Sequence, residues 1–163
     1  MEISYLADHQ GIIPVISRWF YQEWSYLHPG KTENDFNQVL SERTNRHKIP
    51  LALVAFEGNE LIGTVCLKIN DLETRLDLSP WLAGLYVSQP WRGNGVGTAL
   101  VKAIERKTFE LGEEKLYLFT PESEDFYAGL GWKVLERQNY HNAPVTIMQK
   151  EIIYQQPRRY FMS

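Results

Sequence analysis

Several features that would point to particular classes of protein are missing from this chain of 163 residues. It contains one cysteine, Cys66, so no internal disulfide can form, and we expect this residue to be a small buried hydrophobe in a strand. No apolar run approaches the roughly 20 residues of a membrane span, so no membrane partner is expected. The first residues lack the basic start and apolar centre of a secretory signal, which predicts a cytoplasmic protein.

Charge and histidine spacing exclude further classes of ligand. The formal net charge is −3, so nucleic acid is not an expected partner, although weak acidity is compatible with a cationic substrate. The four histidines do not have the spacing of metal ligands, and we predict no metal site. His28 and His141 fall in predicted loops, and the sequence assigns a role to neither.

The length and composition fit one domain. Hydrophobic residues make up 44% of the chain and charged residues 23%, which is ordinary for a globular protein with its own core. We predict a single domain over residues 1–153 and a C-terminal tail over residues 154–163, where periodicity is lost.

Hydrophobic periodicity predicts the element order βααβββαβαββ, an α/β or α+β fold in which a mixed sheet has helices on both faces. The first helix has an apolar stripe, and Pro14 fits only near its first turn. Thr32 followed by Asp35 is typical of a helix start. The predicted strands cover residues 2–6, 51–57, 60–70, 81–87, 115–119, 132–137 and 144–152, and the predicted helices cover residues 10–26, 32–46, 98–111 and a short segment that begins with Thr120 and Pro121.

The most informative segment is the glycine turn at residues 92–97, between the fourth strand and the third long helix. A strand, a glycine turn and a helix N-terminus bind phosphate, because backbone N–H groups face the ligand and the helix adds about half a positive charge. A P-loop is rejected because the turn has no lysine followed by Ser or Thr. A dinucleotide fingerprint fits weakly, because Thr98 stands in place of the third glycine and no carboxylate ends the next strand.

A third pattern, Arg/Gln-x-x-Gly-x-Gly/Ala, is filled completely by Arg92, Gly95 and Gly97. With this pattern the chain resembles the GNAT superfamily of N-acetyltransferases. The resemblance implies that strands four and five splay apart and that the acetyl-pantetheine arm of acetyl-CoA, the co-substrate, lies in the gap.

A second motif strengthens the resemblance. The segment 123–132 is similar to the family's F-Y-x-x-x-G-F element, with Trp132 in place of the final Phe. Its tyrosine, Tyr127, follows the glycine turn at the distance that the family expects. In addition, the segment 75–84 looks like one found in bacterial members of the family, although it indicates no substrate.

The resemblance also implies the residues that hold the co-substrate. Backbone N–H groups of the glycine turn would cradle the pyrophosphate, with Arg92 adding charge or closing the turn. Main-chain groups of the fourth strand would meet the pantetheine arm and the thioester carbonyl, and Gly84 marks either a bulge or a packing contact there. The implied cofactor-binding residues are Leu85, Tyr86, Val87, Arg92, Gly93, Asn94, Gly95, Val96, Gly97, Thr98 and Phe126.

Tyr127 is the implied catalytic residue, since the family's tyrosine at this place donates a hydrogen bond or proton to the departing thiolate. A phenol with a reference pKa of about 10 is a weaker acid than a thiol at about 8.5, so a hydrogen bond would suffice. Many family members also place a Glu on the fourth strand to deprotonate the amine, but residues 81–88 contain no carboxylate. Asp77 is the nearest candidate base, followed by Glu73 and Asp71; a water chain or an amine of low pKa would remove the need for one.

We therefore predict an acetyl-CoA-dependent N-acetyltransferase in which a primary amine attacks the thioester directly in a ternary complex. The amine could belong to a small molecule, a peptide N-terminus or a protein lysine, and Tyr21 and Tyr26 lie off the apolar stripe where they could contact it. Longer acyl donors and a homodimer are compatible with the sequence. The alternative is a non-catalytic acyl-CoA-binding sensor or interaction module on the same fold.

Overall fold

The computed structural model describes residues 1–153; the predicted tail over residues 154–163 lies outside the described residues. Seven strands form one sheet in the order 1-2-3-4-5-7-6 along the sheet. The strands are β1 (Glu2–Tyr5), β2 (Leu51–Glu57), β3 (Glu60–Lys68), β4 (Trp81–Val87), β5 (Lys115–Thr120), β6 (Lys133–Tyr140) and β7 (Ala143–Glu151). The helices are α1 (Ile13–Trp24), α2 (Glu33–Ser41), α3 (Val96–Glu110) and α4 (Glu124–Gly129).

The predicted order of elements and the mixed sheet with helices on both faces are confirmed, while several predicted boundaries are wrong. The predicted first helix is divided: Gln10–Ile12 forms a separate 3-10 helix, and the regular helix α1 begins at Ile13, beside Pro14, where the first-turn proline allows it to begin. Helix α2 ends at Ser41 instead of Arg46, since the chain leaves the helix to form a bridge between Thr44 and Leu51.

The predicted start of the short fourth helix at Thr120 is also wrong. Thr120 still belongs to β5, where it pairs with Thr146 of β7. Its hydroxyl accepts a hydrogen bond from the backbone N–H of Ser123 at 2.9 Å, which closes a turn ahead of the helix. Helix α4 therefore starts at Glu124, after Ser123 in the N-cap position.

The helices cover the two faces of the sheet because the strands alternate their side chains. On β2, Leu53 packs toward the face covered by α3, where Leu100 and Ile104 are fully buried. The next residue, Val54, points to the opposite face and packs with Ile16 of α1. Within residues 1–153, no helix combines the length and the apolar character needed to cross a membrane.

The start of α2 is fixed as the sequence predicts. The hydroxyl of Thr32 accepts a hydrogen bond from the backbone N–H of Asp35 at 3.2 Å, and the Asp35 carboxylate accepts one from the backbone N–H of Thr32 at 2.7 Å. The carboxylate of Asp35 accepts hydrogen bonds from the Thr32 backbone N–H and from the Thr32 hydroxyl, and these two bonds hold the pKa of Asp35 below its ordinary value. The reciprocal pair satisfies two N–H groups that would otherwise lack partners at the helix start.

Strands β4 and β5 form the only parallel pair of the described sheet, and they touch only at one end. Their register contains a single pair, Trp81 with Tyr117, supported by a hydrogen bond from the Tyr117 N–H to the Pro80 carbonyl at 3.0 Å. Beyond this point β5 continues along β7 while β4 follows β3, so the two strands diverge. The splay implied by the family resemblance is present in the structure.

A bulge lies on β4 where the strands separate. Between the pairs Thr64–Tyr86 and Cys66–Ala83, β4 has one residue more than β3. Gly84 occupies the bulge with φ +59°, and a Cβ placed there would lie 2.9 Å from Cζ of Phe20. Both anticipated uses of this glycine therefore hold, since it makes the bulge and allows Phe20 to pack closely.

We expect the substitution Gly84→Ala to lower the free energy of unfolding by about 2–4 kcal/mol. Positive φ costs an alanine roughly 1–2 kcal/mol, and the new methyl group would also push Phe20 out of a packed aromatic cluster for about 1–2 kcal/mol more. Gly58→Ala is the matched control, because Gly58 has φ +58° but a Cβ added there would meet nothing within 4 Å. Urea unfolding should show the larger loss in Gly84→Ala; equal losses would mean that the Phe20 contact contributes nothing.

Candidate functional site

The gap between β4 and β5 opens into a cavity of about 940 Å³. It extends from α1 and α2, along β4, to the glycine turn and α4. Most of the sequence-predicted site residues line it; these are Leu85, Tyr86, Val87, Arg92, Gly93, Gly95, Val96, Gly97, Thr98, Phe126 and Tyr127. Asn94 and Asp77 are the two predicted residues that do not line it.

The glycine turn presents backbone, not side chains, to the cavity. Gly93 and Gly95 both have φ +80°, and a Cβ at either residue would meet open space. Gly95 is the N-cap of α3, and no side chain in the described structure caps this helix. The first N–H groups of α3 therefore remain available at the positive end of the helix dipole, which suits an anion such as a phosphate.

Asn94 fastens the turn from outside the cavity. Its side-chain amide donates hydrogen bonds to the carbonyls of Trp91 at 3.3 Å and Arg92 at 3.2 Å. The residue therefore holds the shape of the turn, which leaves the neighbouring glycines to face the cavity.

Arg92 joins the turn to the end of β4. Its Nε donates a hydrogen bond to the Val87 carbonyl at 2.9 Å, and its guanidinium lies 5.2 Å from the centre of the Tyr86 ring. Tyr86 in turn stacks on Trp19 of α1 with ring centres 4.9 Å apart. The end of β4 and the Tyr86 ring thus position the guanidinium together. Its two terminal nitrogens can donate hydrogen bonds to an anionic ligand.

The free edge of β4 forms one wall of the cavity. Past Trp81, no strand among the described residues pairs with the side of β4 that faces β5. The main-chain groups on this side are therefore available to a ligand, in the way that a sheet edge receives an added strand. The bulge at Gly84 lies at this edge and alters the direction of the strand there.

Tyr127 lies on α4 at the inner side of the cavity, with 7% of its surface exposed. Its ring makes edge contacts with Phe126, at 5.0 Å between ring centres, and with Trp132, at 6.0 Å. Burial raises the pKa of Tyr127 well above its ordinary value, so the phenol stays protonated at neutral pH. A protonated, partly desolvated phenol is a hydrogen-bond donor for an atom that gains negative charge.

Phe126 connects α4 to the glycine turn. A Cβ at Gly97 would lie 3.4 Å from Cζ of Phe126, so the small residue at this place allows the aromatic ring to pack against the turn. The two aromatic residues of the F-Y motif therefore have different contacts in this structure: Phe126 packs against the glycine turn, and Tyr127 lines the adjoining part of the cavity.

Asp77 is poorly placed to act as a base. Both of its oxygens accept hydrogen bonds from Arg75, each at 3.0 Å, and the same arginine also contacts Glu136 of β6. The Arg75 hydrogen bonds lower the pKa of Asp77, which makes it a weaker proton acceptor, and the residue lies outside the cavity. Of the three acids proposed in this loop, only Asp71 lines the cavity, where Lys68 binds it at 2.8 Å.

Several residues that the sequence did not single out line the half of the cavity opposite the glycine turn. Tyr26 lies there as anticipated, but Tyr21 packs on Phe36 and does not line the cavity. Burial, then Glu122 and Glu23, raise the pKa of Tyr26, so these two carboxylates approach it from opposite sides of the gap. Both signs of charge line this half of the cavity, and the carboxylates outnumber the cations: Glu23, Asp35, Glu42, Asp71 and Glu122 against Lys31, Arg43 and Lys68.

His28 also lines this half of the cavity. It follows the 3-10 helix Ser25–Leu27, in the connection between α1 and α2, and its ring makes an edge contact with Phe36 at 5.8 Å. Along the sequence, His28 is followed by Pro29 and Gly30, and this pattern indicates only that a helix ends there. Among residues 1–153, no group of three or more His, Cys, Asp or Glu side chains has the arrangement of a metal site.

Solved structures with similar folds include several acyltransferases. An aminoglycoside 6'-N-acetyltransferase complexed with coenzyme A superposes with a TM-score of 0.75 at 19% identity, over 96% of this chain and 100% of that one. The aminoglycoside 6'-N-acetyltransferase from Enterococcus faecium gives 0.73 at 19% identity over 96% and 100%. The yncA protein of Salmonella typhimurium, solved with acetyl-CoA, gives 0.67 at 13% identity over 96% of each chain. At these identities the likeness establishes the fold.

The family assignment comes from the sequence match. The model of the acetyltransferase (GNAT) family matches residues 13–132, a span that contains α1, the splayed strands, the glycine turn and the F-Y motif. The match covers well over half of the chain. The chain's fold also has the splay between β4 and β5 that the family resemblance implies. The chain therefore belongs to the acetyltransferase (GNAT) family.

Proposed function

We propose that the protein transfers an acetyl group from acetyl-CoA to a primary amine on a small cationic molecule. The observation that supports this most directly is one cavity that contains the glycine turn, the free edge of β4 and the buried Tyr127. Related folds solved with coenzyme A or acetyl-CoA support the choice of donor.

The donor half of the cavity fits the chemistry of coenzyme A. Open space at Gly93 and Gly95 and the uncapped start of α3 suit a pyrophosphate, with Arg92 nearby as a positive charge. The β4 edge at Leu85 and Tyr86 suits the amide groups of a pantetheine arm, which can extend beside a strand. Since Arg92 already occupies the Val87 carbonyl, we expect the arm to use the residues before Val87.

The transfer then needs few protein groups. The amine nitrogen forms a bond to the acetyl carbon, the carbon–sulfur bond breaks, and the sulfur leaves as a thiolate. Tyr127 donates a hydrogen bond to that thiolate, which is stabilised most when its charge develops in a site with little water. The splay holds both reactants in one cavity, which supplies the proximity that a direct transfer requires.

The other half of the cavity suits a cationic acceptor. Glu23 and Glu122 are exposed and lie near Tyr26, whose ring adds an aromatic face for an ammonium group. The aminoglycoside acetyltransferases with similar folds support a small-molecule amine over a peptide. Thiol release from acetyl-CoA, measured against polyamines, aminoglycosides and peptides with free N-termini, would separate the classes of acceptor.

A non-catalytic acyl-CoA-binding module is the second candidate function. The lack of an evident base favours it: β4 carries no carboxylate, and Asp77 is held in an ion pair with Arg75. A protein that binds acetyl-CoA but releases no thiol with any amine of the panel would establish this second function.

The glycine turn can be tested with a pair of matched variants. Gly95→Ala places a methyl group in the open space of the turn, so we expect the rise in melting temperature caused by acetyl-CoA to fall by more than half. Gly112→Ala is the control, because Gly112 has φ +84° and open space like Gly95 but lies outside the cavity. Thermal unfolding with and without acetyl-CoA measures both; an equal rise in both variants would place the pyrophosphate elsewhere.

Tyr127→Phe should bind acetyl-CoA as the unmodified protein does but transfer acetyl about 100-fold more slowly, because one donor to the developing charge is lost. Tyr117→Phe is the control, since Tyr117 is comparably buried but does not line the cavity. Turnover is measured by thiol release at saturating acetyl-CoA. Unchanged turnover in Tyr127→Phe would remove the phenol from the mechanism.

Glu122→Gln and Glu23→Gln should each raise KM for a cationic amine about two- to fivefold, as expected for one partly solvated charge, and leave KM for acetyl-CoA unchanged. Glu114→Gln makes the same change of charge at an exposed residue outside the cavity and should change neither constant. The effect should shrink at high salt. If the amine KM is insensitive to both cavity carboxylates, the acceptor does not bind between them.

A further inference from the structure

The proposed reaction leaves one proton without an acceptor. A primary ammonium group must lose a proton before or during attack, and a lysine-like amine pays about 4–5 kcal/mol for this at pH 7. Strand β4 has no carboxylate, and Asp77 is bound by Arg75 outside the cavity. Another group on the cavity wall is therefore needed if the amine is strongly basic.

We propose that His28 is this proton acceptor, an assignment that rests on the proposed acetyl transfer. His28 lines the same cavity as Tyr127 and the bulged part of β4. It lies on the wall formed by the α1–α2 connection, opposite α4, so an amine between the two walls would have the imidazole on one side and the departing sulfur on the other.

The groups around His28 fix its location along β4. Asp71, Lys68 and His141 all act on it electrostatically. Lys68 pairs with Trp81 in the sheet, so this group of side chains lies at the start of β4, before the bulge at Gly84. We place the amine between this group and the thioester, which would lie further along the strand.

The surroundings of His28 favour its neutral form. Burial lowers the pKa of His28; Asp71 opposes this, while Lys68, His141 and Lys31 add to it. These groups reach the ring from β3 and its following loop, from the β6–β7 turn and from the segment before α2, and Phe36 of α2 contributes an apolar edge. A neutral imidazole that titrates near the working pH is an effective general base.

The carboxylates of the same cavity are less suitable. Asp35 is occupied in the cap of α2 and Asp71 is bound by Lys68. Glu23, Glu42 and Glu122 are exposed to solvent. A carboxylate in contact with water is a far weaker base toward an ammonium group than an imidazole is.

The step balances without another reactant. One proton of the ammonium group moves to an imidazole nitrogen, which frees the nitrogen lone pair to form the carbon–nitrogen bond. The carbon–sulfur bond breaks with its electron pair on sulfur, and the second proton that the nitrogen loses on becoming an amide passes to the thiolate. Tyr127 stabilises that thiolate by a hydrogen bond. His28 then returns its proton to solvent, and the site is ready for a second pair of substrates.

The substitution His28→Gln tests this role, with His141→Gln as the control because His141 is a neighbouring histidine that does not line the cavity. In the unmodified protein, kcat should fall at acidic pH, with a midpoint below the ordinary pKa of histidine, because burial lowers the pKa of His28 and protonation of its ring removes the base. We expect His28→Gln to lower kcat about 100-fold and to change KM for the amine little. The decrease of kcat at acidic pH, the acid limb of the pH profile, should be absent from this variant. His141→Gln should keep both.

A second variant separates loss of the base from loss of the fold. His28→Ala should regain part of its kcat when imidazole is added to the buffer, whereas a misfolded protein would not. The inference is overturned if His28→Gln keeps its acid limb, keeps kcat within threefold, or changes only KM. The rise in melting temperature with acetyl-CoA is read in the same variants, and its absence from the unmodified protein would contradict the proposed function instead.

Discussion

Strands β4 and β5 meet at one residue pair, Trp81 with Tyr117, and every feature of the site depends on their divergence beyond it. The closed end is fixed by burial: Trp81 is fully buried, and its indole N–H donates to the Leu78 carbonyl at 2.7 Å. β5 then pairs with β7, so no strand of the described sheet fills the space next to β4. The backbone groups of an unpaired strand edge need hydrogen-bond partners, from water or from a ligand, and the cavity lies where that edge is free.

The bulge and the glycine turn extend this opening in two directions. Gly84 lets β4 change direction and leaves room for Phe20 of α1 to pack against the strand. This contact joins β4 to α1 at the bulge. At the other end, Arg92 binds the Val87 carbonyl and lies over Tyr86, which stacks on Trp19 of the same helix. Helix α1 therefore contacts β4 at two places, at the bulge and at the end of the strand before the glycine turn.

Burial has opposite effects on the pKa values of the two titratable side chains that we place in the mechanism, yet both effects favour the neutral form. Desolvation raises the pKa of Tyr127 and lowers that of His28. A neutral phenol can donate a hydrogen bond, and a neutral imidazole can accept a proton. One partly closed cavity thus provides a donor and an acceptor at the same pH.

The sequence by itself determined the order of elements, the glycine turn, the F-Y motif and the start of α2, because each depends on residues close together in the chain. Its error at α4 came from the long-range pairing of Thr120 with Thr146, which outweighs the local helix signal. Its error at α2 came from a nearer contact, the bridge between Thr44 and Leu51 that leads the chain into β2. Only the tertiary structure decided that Asp77 lies outside the cavity, where Glu136 of β6 anchors its partner Arg75, and that His28 lines the cavity. Both facts arise from segments brought together by the sheet, and no spacing along the chain encodes them.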